Sequence, residues 1–180
     1  MNLEAETLRE HSKRQTVKIA RWVGSDKKRF DQLMALFLKG EYHVTQRSAW
    51  IVNTCAENHP ELIRPHLGKM IKRMQEPGVH VAVKRNVIRI LQFIETPDKL
   101  LGAVATVCFD YLASPEEPIA VKVFSMTVLA NIAQKEPDLK NELRLVIEQQ
   151  LSHGSMGFCS RARRVMKMIQ ENDGGILKAD

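Results

Sequence analysis

An internal repeat constrains this chain more than any other feature, because self-similarity at a fixed period dictates how neighbouring segments must stack. Three segments align: HVTQRSAWIVNTCAENHPEL from His43, VAVKRNVIRILQFIETPDKL from Val81 and IAVKVFSMTVLANIAQKEPDL from Ile119. Gln46, Lys84 and Lys122 follow one another at 38 residues, as do Ala49, Val87 and Ser125. Val52, Ile90 and Val128 keep the same interval, and so do Ala56, Ile94 and Ile132. A weaker fourth copy, GFCSRARRVMKMIQEN, sets Arg161 39 residues after Lys122.

Each copy breaks at a proline followed by an acid: Pro60-Glu61, Pro97-Asp98 and Pro137-Asp138. Proline suits a first helical turn, and an acid there meets the positive end of the helix dipole. Thr96 is the expected N-cap of the helix that follows it. Helical spacing resumes after each break, at Leu67, Met70, Ile71 and Met74, at Val104, Val107, Cys108 and Leu112, and at Leu143, Val146, Ile147 and Leu151. Ahead of the repeats, one long helix is expected from about Ala5 to Val23, and a second carries Phe30, Leu33, Met34 and Phe37 to a break at Gly40. No alternating pattern of strand type competes. The expectation is all-α: about nine helices in antiparallel pairs, with residues 1–40 an irregular first pair, 41–171 the repeats and 172–180 a fraying tail of a single domain spanning 1–180.

Period and pairing resemble HEAT or armadillo-type repeats in divergent form, and the likeness covers nearly the whole chain. The basic or polar position of such repeats is matched by Gln46, Lys84, Lys122 and Arg161. The resemblance implies a right-handed α-solenoid whose Lys84-bearing helix lines a concave face. On that helix Val83, Val87, Ile90, Leu91 and Ile94 share one side, while Lys84, Arg85, Ile88, Arg89 and Gln92 fall toward the other. Stacking would then gather Arg47, Lys84, Arg85, Arg89, Lys122 and Arg161 into a basic stripe. Arg14, Lys18 and Arg21 would join it at one end, and Arg163, Arg164 and Lys167 at the other. Trp50 shares a repeat position with Ile88 and Met126, so it is either a rung of inter-repeat contact or an exposed anchor for a ligand.

The net charge of +6 accords with an anionic partner, protein or nucleic acid. Bacterial DNA-alkylation-repair glycosylases are also short HEAT-like arrays with a basic concave face, and they use an aspartate there. Here Asp26, Asp31, Asp98, Asp110 and Asp138 lie on other helices or turns, and the basic helices carry Glu57 and Glu95 at their ends. The six histidines and three cysteines fit no zinc spacing, and no Gly-rich phosphate loop or nucleophile elbow occurs. Cys55 and Cys108 sit on apolar faces as inert thiols. The expected protein is therefore a non-catalytic binding module without cofactor or metal, in a reducing cytoplasmic setting and outside the membrane. A protein partner is expected at Arg47, Trp50, Lys84, Arg85, Arg89, Lys122 and Arg161, with a nucleic-acid backbone as the alternative.

Overall fold

The computed structural model describes residues 1–171; the 172–180 tail lies outside the described residues. Among those described there is no strand. The α-helices in chain order are α1 (Leu3–Arg9), α2 (Lys13–Val23), α3 (Lys27–Lys39), α4 (Tyr42–Asn58), α5 (Pro60–Ile63) and α6 (Leu67–Met74). They continue with α7 (Val81–Leu91), α8 (Asp98–Ala113), α9 (Ile119–Ile132), α10 (Leu139–Leu151) and α11 (Met156–Glu171). A 3-10 turn at Arg64–His66 joins α5 to α6. The expected helices are present, and two of them are split, which accounts for the excess over nine.

Both splits have local causes. The single N-terminal helix expected from Ala5 to Val23 is two helices, because the Ser12 side chain accepts from the Gln15 backbone N–H at 3.1 Å and starts α2 afresh. The second helix of the first repeat is interrupted at Pro65, which has no N–H for the helical ladder; Arg64 and Leu67 keep helical dihedrals, so the chain tightens and continues. Pro60 does occupy the first position of α5. Pro97 instead fills the cap position of α8, with no side-chain cap there; Thr96 is buried one residue too early to serve. Helix α7 stops at Leu91, short of Ile94, although Ile94 is still buried.

Two compact units divide the chain, Met1–Ile90 and Leu91–Asp180. In the first, α4 is the central helix, packed by α1, α2, α3 and α5. Its core takes Ile19 from α2, Phe30, Leu33 and Phe37 from α3, Val52 from α4 and Met70 from α6, all fully buried. In the second, α8, α10 and α11 pack against α9. Helix α9 reads IAVKVFSMTVLANI and is apolar on nearly every side, a pattern that suits only a helix enclosed by neighbours. Ile88, expected toward the polar side of α7, is fully buried, and Leu151, expected in the core, is exposed.

A recurring polar contact ties neighbouring repeats within each unit. The last carbonyls of a helix have no partner within it. Arg47 Nη1 donates to the carbonyl of Leu8, in the last turn of α1. Arg73 Nε donates to that of Leu38, in the last turn of α3, at 3.0 Å. Asn131 Nδ2 donates to Gln92, just past α7, at 2.9 Å, and Gln150 Nε2 to Leu112, near the end of α8, at 2.8 Å. The partners stand 35 to 39 residues apart, close to one repeat. Stacking thus supplies the helix ends with donors as well as apolar contact.

Candidate functional site

Two polar contacts set the register between α4 and α7. Asn53 Nδ2 donates to Asn86 Oδ1 at 2.6 Å, and Arg89 Nη2 pairs with Glu57 Oε1 at 3.2 Å. Both partners advance together along the chain, so the helices run parallel. Both asparagines are buried, and each amide also donates to the carbonyl four residues before it, Ala49 or Ala82. Arg85 lies one helical turn before Arg89, which brings it level with the Asn53–Thr54 turn of α4. Trp50 stands one turn further toward the start of α4.

Of the first-unit candidates, Arg85 is exposed, and its side chain makes no hydrogen bond or ion pair among the described residues. Lys84 and Arg89 are half-buried. Arg47 spends its guanidinium on the Leu8 carbonyl. Trp50 is 37% exposed, whereas Ile88 and Met126, its counterparts in the next two copies, are 0% exposed. The Trp50 ring thus stays at the surface where its counterparts are buried, with His11 edge-on at 5.9 Å. Trp22 is different: it is half-buried under the Arg29 guanidinium, 4.6 Å from the ring centre.

In the second unit, Lys122 Nζ donates to Gln150 Oε1 at 2.8 Å. Arg161 Nη1 reaches Gln92 Oε1 at 3.1 Å and also Thr127 Oγ1. Both are half-buried and tie helices together. Arg163, Arg164 and Lys167 lie on the exposed side of α11, opposite Phe158, Ala162, Val165 and Ile169. On α2 the cations Lys13, Arg14, Lys18 and Arg21 form a row along one exposed face. Lys18 in that row pairs with Glu6 at 2.7 Å. Hydrogen bonds from Lys18 and then Gln15 bring the Glu6 carboxyl down to about 2.

Several groups with chemical potential are structurally occupied. Burial pushes the Cys55 and Cys108 thiols up to about 12, which suppresses the nucleophilic thiolate. His66 is depressed by burial, against the opposing pull of Asp31 at 2.9 Å. Glu57 and Glu95, the carboxylates at the ends of the basic helices, are held by Arg89 and Lys135. Among the described residues no group of three His, Cys, Asp or Glu side chains is placed to hold a metal ion, and no helix is long and apolar enough to cross a membrane.

The sequence pattern identified the basic residues without separating exposed cations from those used inside the fold. Arg73, Asn131 and Gln150, which cap the preceding repeat, were not distinguishable by residue type. A family model for the HEAT repeat domain matches residues 4–169. No curated protein and no solved structure matches the chain.

Proposed function

The chain belongs to the HEAT repeat domain family, and on that footing we propose that it is a non-catalytic scaffold whose α4–α7 face binds an anionic protein surface. Repeats of this family commonly serve protein interaction. The observation that carries the reading is Trp50: a large aromatic ring left at the surface where the next two copies bury Ile88 and Met126. Exposed Trp and Arg side chains are the residue types that dominate binding energy at protein interfaces. Arg85, with its side chain in solvent, supplies the charge beside it, Lys84 adds to it on α7, and Arg89 is partly offset by its pair with Glu57. In the second unit Lys122 and Arg161 each already hold an intramolecular partner, so they are left out of this face. The three free cysteines accord with a reducing, cytoplasmic setting.

The test is recovery of bound protein from an extract of the native organism with the wild-type chain, Trp50→Ala and Arg85→Glu. Both variants should lose the partner that the wild type retains, while remaining folded by circular dichroism. Full retention by both variants contradicts the reading. A second reading, binding to a nucleic-acid backbone, is favoured by the row of cations on α2. It requires binding to labelled duplex DNA or single-stranded RNA that weakens steeply as salt rises. Absence of any shift at low salt removes it.

A further inference from the structure

We propose that an open groove between α8 and α10, in the second unit, docks a cationic amphipathic segment of a partner protein. The groove has a volume of about 600 Å³. Leu101, Ala105, Ile132 and Leu139 give it an apolar floor. Among the described residues five carboxylates line it, Asp98, Asp110, Glu136, Asp138 and Glu142, and no lysine or arginine does. That concentration of acid occurs in a chain with a net charge of +6. Lys99 and Lys140 belong to the same two helices but do not line the groove.

Helix chemistry explains part of the acidity. Asp98 opens α8, Asp138 caps α10 and Glu142 lies in the first turn of α10, all places where a negative charge meets the positive helix end. Asp98 also faces Lys135 at 3.5 Å. Asp110 and Glu136 have no such account. Asp110 is in the last turn of α8, the end at which an acid opposes the dipole. Glu136 is in the α9–α10 turn. Neither side chain makes a hydrogen bond or ion pair among the described residues.

Gly102 shapes the same groove. It stands in the interior of α8, where glycine weakens a helix relative to alanine. A Cβ there would meet no atom within 4 Å, so packing does not require the glycine. Its effect is on the groove: Gly102 with Ala105 and Thr106, three and four residues on, keeps the α8 wall low and the apolar floor open. An apolar trough rimmed by carboxylates complements a segment in which a few apolar side chains are flanked by Lys or Arg. Nucleic acid is repelled by the same rim. The groove is opposite in sign to the α4–α7 face and does not depend on the reading of that face.

The probe is a fluorescein-labelled peptide of leucine and lysine in helical period, titrated into the full chain by anisotropy. Two controls replace every lysine with glutamate or every leucine with serine. The leucine–lysine peptide should bind and neither control should. Gly102→Leu fills the open space while favouring the helix, so thermal stability should hold and affinity should fall about tenfold or more. Asp110→Asn combined with Glu136→Gln changes charge without shape, should weaken binding about as much, and keeps the test decisive if Gly102→Leu folds poorly. Arg85→Glu should leave this binding unchanged. The proposal is overturned if the charge-neutral pair binds like the wild type, if the serine control binds as tightly as the leucine–lysine peptide, or if Arg85→Glu weakens binding as much as the groove variants.

Discussion

At the scale of single residues, the polar side chains divide by whether the fold already uses them. Arg47, Arg73, Asn131 and Gln150 each satisfy a helix-end carbonyl of the preceding repeat. Asn131 tests that role cleanly, because Leu at that position keeps most of the volume and removes the donor. Asn131→Leu should lower unfolding free energy by about 1 kcal/mol through loss of the hydrogen bond to the Gln92 carbonyl, measured by urea denaturation with an unchanged m-value. Glu6 supplies the pH-dependent counterpart. Its carboxyl lies at about 2 in the folded chain against an ordinary 4.5, so the folded state binds the proton more weakly than the unfolded state. The contribution to stability is therefore complete above about pH 4.5 and is lost as pH falls toward 2. Glu6→Gln should melt below the wild type at pH 7, and the gap should close on acidification; a gap that stays constant to pH 2 rules out this linkage.

At the scale of elements, the tightest constraint is the junction of α3 and α4. Gly40 has an ordinary φ of −67°, so its role is not backbone strain. A Cβ there would lie 2.7 Å from Val44 Cγ1 and would also collide with the Leu36 carbonyl. Gly40→Ala should cost about 1–3 kcal/mol by forcing the two helices apart. Gly68 in α6 is the control, since a Cβ there meets open space; Gly68→Ala should instead stabilise by about 0.5–1 kcal/mol. Thermal denaturation of the two variants separates them by sign.

The helices themselves were readable because apolar residues recur at helical steps within each copy and at 38 residues between copies. Their interruptions were less so. Ser12 caps α2 in the middle of a run that otherwise reads as continuous helix, and Pro65 breaks the ladder while neighbouring residues keep helical dihedrals. Inter-repeat capping was invisible for a different reason: Arg, Asn and Gln all serve, at separations from 35 to 39 residues, so no residue type marks the position. Trp50 shows the limit from the other side. It shares a 38-residue spacing with Ile88 and Met126, yet those two are buried and Trp50 is exposed.

For the molecule as a whole, repetition explains the apolar residues and part of the basic ones, and what repetition leaves over is where function is assigned. Arg85 and Trp50 are the residues of the α4–α7 face that the fold uses least. The most direct test places a photo-crosslinking amino acid at position 85 and, in a second protein, at position 32, an exposed glutamine of α3. After irradiation in cells of the native organism, covalent adducts are compared by mass. A discrete protein adduct is expected from position 85 and none from position 32, and the adduct should disappear when Trp50→Ala is added. Adducts from position 32 with none from position 85 would contradict it.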